Sequence, residues 1–221
     1  RIISKAWEFT IDERYHEQSC MMVMGSEGRG EQILKTDQDN GLILADDTQW
    51  PDLASHMQTL TDTLIQLGYP PCPGNIMVSN SEWVATVSQW KGNIAKWARE
   101  RDGDSLMKLA IMLDAHAVAG NPSLLESVRD ELFERCSGDE LLLSYFARTA
   151  LRFSTPLTLF GSLKKPQHGI DIKKGGIFPI VHGVRTMALE RRIKATSTFD
   201  RLDALAADGR FRPESHAGGG W

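Results

Sequence analysis

Two aspartates separated by one residue, Asp37 and Asp39, stand out as candidates for chemistry in this chain of 221 residues. They precede the apolar run from Gly41 to Ala45, and an extended backbone there would project both carboxylates from the same face. Adjacent carboxylates repel each other without a cation, and Mg²⁺ prefers oxygen ligands that leave room for substrate phosphates. The pair therefore predicts a Mg²⁺ site, with Mn²⁺ as the alternative ion, although an isolated DxD sequence is also common in solvated loops.

A glycine-rich segment upstream supplies groups that bind phosphate. Gly25 and Ser26 directly follow the apolar run from Cys20 to Met24, a pattern that predicts a buried strand ending in a tight turn. The N–H groups of such a turn and the Ser26 hydroxyl can hold phosphate oxygens. Arg29 adds a permanently charged guanidinium group that can bind phosphate through two N–H groups. We therefore predict that Gly25, Ser26 and Arg29 bind a nucleotide, while the two aspartates bind metal and carry out catalysis.

Composition and motif spacing argue against several other classes of protein. The glycines at positions 25, 28 and 30 miss the GxGxxG spacing, and no GxxxxGK[ST] motif is present. The three cysteines are widely spaced without a CxxC pair, which disfavours a disulfide framework or structural zinc and favours a reducing cytoplasm. A formal charge of −4 disfavours nucleic-acid binding, and no apolar run reaches the roughly 18 to 20 residues that span a membrane.

Hydrophobic spacing indicates the elements that must position these groups. Besides the two strands that border the motif, Asn75 to Val78 is predicted as a third strand. The tryptophans at 83, 90 and 97 recur at helical spacing and are interpreted as packing residues. Helices are predicted near residues 1–20, 53–67, 83–97, 106–117, 139–152, 179–194 and 198–207, with Asp104 and Asn121 as caps.

The strands are therefore confined to the front of the chain. We predict an α+β fold, with a small mixed sheet flanked by helices over residues 1–136 and an all-helical domain over 137–221. The glycines at 218–220 are expected to form a disordered tail. Because the chain begins at Arg1 rather than Met, we expect a fragment of a longer protein.

The run GSEGRGEQILKTDQDNGLIL resembles the DUF294 nucleotidyltransferase domain of bacterial signalling proteins, which is related to the N-terminal domain of the PII uridylyltransferase. The segments CPGNIMVSNSEW, LDAHAVAGN, LRFSTPLTLFG and IDIKKGGIFPIVHGVR are similar to the same family and its helical C-terminal partner domain. The resemblance implies a polymerase-β-like fold in which the turn at Gly25 and Ser26 grips a nucleoside triphosphate and Asp37 and Asp39 bind Mg²⁺. It also implies cyclic-nucleotide-binding or CBS domains upstream, outside this chain.

The implied activity is transfer of a nucleoside monophosphate to a hydroxyl acceptor, such as a regulatory protein in signal transduction. The alternative is a nucleotide-binding regulatory module with weakened catalysis, because the predicted strand at Asn75 to Val78 lacks the third carboxylate of a two-metal site. Asp114 is the best substitute as a metal ligand, unless it only anchors its helix to the sheet. His116 stands where the family often has arginine, which removes a permanent phosphate contact.

Two further polar groups have simpler interpretations. Lys173 and Lys174 carry charges suited to phosphate, but a basic loop between helices is usually solvated. His182 and Arg185, three residues apart on a predicted helix, are expected to pair on a helix surface or between domains rather than to line a cleft.

Overall fold

The computed structural model describes residues 2–32, 37–152 and 176–209. The chain divides into two compact units, Arg1–Arg135 and Cys136–Trp221. The described helices and strands, in chain order, are α1 (Ile2–Thr10), β1 (Ser19–Val23), α2 (Gly25–Gly28), β2 (Asn40–Leu44), α3 (Leu53–Gln66), β3 (Val84–Thr86), α4 (Val87–Glu100), α5 (Gly103–Leu113), β4 (His116–Gly120), α6 (Pro122–Cys136), α7 (Glu140–Arg152), α8 (Phe178–Glu190) and α9 (Thr198–Ala207).

The first unit is built on a four-stranded mixed sheet with the order β3-β2-β1-β4. β1 pairs antiparallel with both β2 and β4, whereas β2 and β3 run parallel. Every residue of β1 and β2 is buried, as expected for strands covered on both faces. The predicted α+β fold, with a small mixed sheet followed by a helical region, is confirmed.

Alternating side chains of the central strands pack into two layers. Met21 and Leu42 belong to a buried cluster with Trp7 of α1 and Leu60 of α3. Their neighbours along the strands point to the opposite face because side chains alternate. On β2, the carbonyl of Leu42 accepts a hydrogen bond of 3.1 Å from the indole N–H of Trp90 in α4. The strand pair that leads to the site is therefore held by helices on two sides.

The prediction of a third strand at Asn75 to Val78 is wrong. The backbone of this segment forms scattered hydrogen bonds instead of a ladder. Asn40 N–H donates to the Ile76 carbonyl at 3.0 Å, and the Asn40 side chain accepts from Val78 N–H at 2.9 Å. The third and fourth strands come later, as β3 and β4.

The helix predicted over 106–117 is also too long, because α5 ends at Leu113 and the chain enters β4 at His116. Asp102, rather than Asp104, caps α5 by accepting a hydrogen bond of 2.8 Å from Ser105 N–H. The cap predicted at Asn121 is present, since its side chain accepts from Ser123 N–H at 3.1 Å.

The helix predicted over 83–97 begins later, at Val87, where Thr86 forms a capping box with Gln89. Trp83 lies instead in a short 3-10 turn before β3. Trp83, Trp90 and Trp97 are all buried, which confirms their interpretation as packing residues.

In the second unit the helices predicted at 139–152, 179–194 and 198–207 correspond to α7, α8 and α9. His182 and Arg185 pair with each other as expected, but both are buried rather than exposed on a helix surface. The Arg185 guanidinium donates to His182 Nδ1 at 3.0 Å, so the other ring nitrogen carries the proton that reaches the Phe146 carbonyl at 3.1 Å.

Several predictions fall on residues outside the described ranges: the Lys173 and Lys174 loop, the glycine tail and most of the LRFSTPLTLFG segment. Within the described ranges, every helix is too short or too polar to cross a membrane.

Candidate active site

The glycine-rich turn lies directly against the DxD segment. Gly25 has a φ of +59°, a conformation that glycine adopts without strain, and a Cβ atom placed on it would lie 2.5 Å from Asp39 Oδ2. The N–H of Met24, just before the turn, donates to the Asp39 carbonyl at 2.9 Å. The structure therefore brings the segment predicted to bind phosphate and one of the predicted metal ligands into contact.

Asp37 and Asp39 form a compact group with a third side chain, that of Cys72. One ligand atom from each of the three residues lies within 4.8 Å of the others. Both aspartates are half-buried, and Cys72 is buried. Sequence reasoning missed Cys72, because a lone cysteine far along the chain carries no motif that links it to a DxD pair.

Backbone pairing explains how Cys72 reaches the aspartates. Gln38, between the two aspartates, forms a parallel bridge with Pro71. Its N–H donates to the Pro70 carbonyl at 3.0 Å, and its side-chain amide donates to the Tyr69 carbonyl at 3.3 Å. The residue after the bridge on one segment is Asp39, and on the other it is Cys72.

The Cys72 thiol interacts with the Asp39 carboxylate. Burial, followed by the interaction with the Asp39 carboxylate, raises the pKa of Cys72 to about 11. At neutral pH the sulfur therefore holds its proton next to one of the predicted metal ligands.

Glu27 places a third carboxylate near this group. Its Oε2 atom is buried and has no hydrogen-bond partner among the described residues. Burial raises the pKa of Glu27, and the nearby Asp39 carboxylate adds to the rise. A buried oxygen without a hydrogen-bond partner near the Asp39 carboxylate marks a place where a bound cation or donor would satisfy it. Its position in the turn, two residues after Gly25, was the available sequence signal.

Arg29 and Asp114 are tied to each other. The Arg29 guanidinium lies 2.6 Å from Asp114 Oδ2 and 2.8 Å from Glu31 Oε2, and Arg29 is 8% and Asp114 0% exposed. Burial lowers the pKa of Arg29, but the two acidic partners outweigh it and the net pKa is raised. This ion pair gives both residues a structural role, and the phosphate contact predicted for Arg29 and the metal binding predicted for Asp114 stay predictions.

The turn also packs closely on the backbone beyond α5. A Cβ atom on Gly28 would lie 2.1 Å from the Asp114 carbonyl oxygen and 2.7 Å from that of Val23. His116, which is exposed at the start of β4, pairs with Val23 in the ladder and therefore flanks the turn. The glycine at 28 is thus required by packing at the point where β1, β4 and the turn meet.

Comparison with known families gives two matches. Residues 1–104 match the family described as "Putative nucleotidyltransferase DUF294". Residues 140–218 match DUF294_C, described as "Putative nucleotidyltransferase substrate binding domain". The turn, the DxD pair and Cys72 all fall within the first match. No curated protein matches the chain significantly.

Proposed function

Because the chain belongs to the nucleotidyltransferase family DUF294, we propose that it transfers a nucleoside monophosphate from a nucleoside triphosphate to a hydroxyl acceptor. The observation that carries the proposal is the contact between the turn at Gly25 and the carboxylate of Asp39. A triphosphate held by the turn would lie beside the acidic pair, as metal-assisted phosphoryl chemistry requires.

The proposed cofactor is a divalent cation, Mg²⁺ or Mn²⁺, bound by Asp37 and Asp39. The donor atoms fit such an ion, since two carboxylates lie within 4.8 Å of each other and a buried oxygen of Glu27 near Asp39 has no hydrogen-bond partner among the described residues. When bound, the cation neutralises phosphate charge and makes the α-phosphorus more electrophilic.

The chain's own groups would position the reactants. The Ser26 hydroxyl and the N–H groups of the turn would hold the β- and γ-phosphates. The acceptor oxygen attacks the α-phosphorus in line, and the bond from that phosphorus to the bridging oxygen breaks. Pyrophosphate leaves, and Asp39 or a third carboxylate takes the proton of the acceptor hydroxyl.

For the acceptor we propose a tyrosine or other hydroxyl on a regulatory protein in a bacterial signalling pathway. Two observations support this choice: the resemblance to the PII-uridylyltransferase domain, and the match of residues 140–218 to a substrate-binding domain. The helical unit would then hold the acceptor, and cyclic-nucleotide-binding or CBS domains encoded upstream would regulate transfer. The proposed location is the cytoplasm.

The test is transfer of label from each α-labelled nucleoside triphosphate to candidate acceptors, with release of pyrophosphate as a second readout. Asp37→Asn and Asp39→Asn are each expected to lower turnover by more than the roughly 10- to 100-fold typical of groups that only support a metal ligand. Asp47→Asn, an exposed aspartate near the end of β2, is the matched control and should retain activity. Turnover unaffected by both site substitutions would reject the proposal.

A nucleotide-binding regulatory module is the second candidate. It is favoured by the group at the DxD pair, where the third potential metal-ligating atom is the sulfur of Cys72 rather than a carboxylate oxygen. Calorimetry that shows cation-dependent triphosphate binding, without pyrophosphate release for any acceptor, would select this candidate over the enzyme.

A further inference from the structure

The sulfur of Cys72 belongs to the same cluster of donor atoms as the two aspartates. It lies within 4.8 Å of a carboxylate oxygen of Asp37 and of a carboxylate oxygen of Asp39. At 8% exposure the side chain is buried. A donor this close to both carboxylates is within reach of a cation that they share.

Backbone contacts fix the position of the Cys72 sulfur. The bridge between Gln38 and Pro71 sets the two segments side by side, and prolines at 70, 71 and 73 restrict the chain on both sides of the cysteine. The Gln38 side chain, 0% exposed, reinforces the bridge by bonding to Tyr69. The cluster is therefore preorganised rather than formed by flexible surface side chains.

The donor set differs from one that suits Mg²⁺ alone. Magnesium takes oxygen ligands almost exclusively, whereas a thiolate favours borderline and softer cations, whose affinity for mixed sites rises from Mn²⁺ through Co²⁺. Two oxygens and one sulfur within one group therefore favour a transition metal.

We propose that Cys72 is a third ligand at this site and makes it select a transition-metal dication of the Mn²⁺ or Co²⁺ type over Mg²⁺. The inference rests on the proposed function in placing a cation at Asp37 and Asp39. Binding breaks the S–H bond, the proton leaves to solvent, and the sulfur lone pair forms the bond to the cation.

The first experiment uses Co²⁺ and the whole chain. Saturation with Co²⁺ is expected to produce a thiolate-to-cobalt charge-transfer band in the near ultraviolet. Cys72→Ser should lose this band, while Cys136→Ala, which removes a buried cysteine of the second unit, should keep it. Absence of the band in the unsubstituted chain overturns the proposal whether or not the variants fold.

The second experiment measures selectivity. Binding of Mn²⁺, followed by electron paramagnetic resonance, is competed with Mg²⁺. We expect Cys72→Ser and Cys72→Asp each to lower the preference for Mn²⁺ over Mg²⁺ by at least about tenfold, because an oxygen replaces the sulfur. An unchanged ratio in variants whose circular dichroism matches the parent would overturn the proposal.

The two proposals can fail separately. If no acceptor is ever modified but the cobalt band and its loss in Cys72→Ser are seen, the ligand assignment stands and the transferase does not. If nucleotide transfer depends on Asp37 and Asp39 but no band appears, the transferase stands and the ligand assignment is rejected.

Discussion

A buried carboxylate and a buried guanidinium, those of Asp114 and Arg29, join the glycine-rich turn to the end of α5. Neither charge is accessible enough for water to replace its partner. Removing one member of such a pair leaves the other charged, buried and incompletely compensated, which costs far more than the loss of a surface ion pair.

We therefore expect Asp114→Asn to lower the free energy of unfolding by about 3 kcal/mol, as read from urea denaturation. The matched control is Asp104→Asn, which removes a carboxylate that is 63% exposed and paired with Lys108, and should change stability by at most about 1 kcal/mol. If Asp114 instead binds the metal, its variant would lose Mn²⁺ affinity with little loss of stability, and the structural role would be rejected.

At the residue scale, sequence reasoning identified the members of the site that are close together along the chain. Gly25, Ser26, Asp37 and Asp39 share one stretch, and their spacing alone suggested phosphate and metal chemistry. The sequence alone did not identify Cys72, because its sulfur comes close to Asp39 only through the bridge between Gln38 and Pro71. The sequence pointed to Asp114 as a candidate, but it did not predict its ion pair with Arg29, which lies 85 residues away in the chain.

At the scale of elements, the turn α2 is held against β1 and the backbone beyond α5 by the absence of a side chain at Gly28. A methyl group there would lie 2.1 Å from the Asp114 carbonyl oxygen, a contact that only backbone movement can relieve. The displaced turn would carry Gly25 away from Asp39.

Gly28→Ala is expected to destabilise the first unit by about 1 to 3 kcal/mol through overpacking and to weaken Mn²⁺ binding. Gly92→Ala is the control, and it is expected to raise stability rather than lower it. Gly92 is exposed within α4, and a Cβ atom placed on it would meet no atom of the described residues within 4 Å, so alanine should stabilise by about 0.5 to 1 kcal/mol. Equal stability of the two variants in urea denaturation would contradict this account of the turn.

The helices and strands that were predicted well are those whose hydrophobic pattern lies within one short stretch of sequence. β1 and β2 are continuous apolar runs buried on both faces, and α3 shows a clear three-four repeat. β4 has no fully buried residue and follows α5 closely, so its small apolar residues extended the helical pattern. β3 spans only three residues and depends on a parallel partner distant in sequence. Tertiary pairing, rather than local propensity, determines both strands.

At the scale of the whole molecule, the chain comprises two compact units, and each should unfold as its own cooperative transition. In the second unit, Phe146 is 0% exposed and its ring stacks on that of His182 at 5.6 Å. Phe146→Ala is expected to cost about 3 to 5 kcal/mol and to lower the melting temperature of that unit by more than about 10 °C.

Scanning calorimetry checks this prediction. Phe146→Ala should displace one transition, and Gly28→Ala should displace the other. A single transition that both substitutions move together would mean that the chain unfolds as one cooperative block.

The segment from Asp37 to Asn40 presents a different chemistry on each side: the aspartates are half-buried, whereas the amides of Gln38 and Asn40 are 0% exposed and hydrogen-bonded to each other at 3.0 Å. Inserting or deleting one residue here would exchange the two sides, sending carboxylates into the core and amides into the site. The length of this segment is therefore as constrained as its residues, and any variation in length must be absorbed elsewhere in the chain.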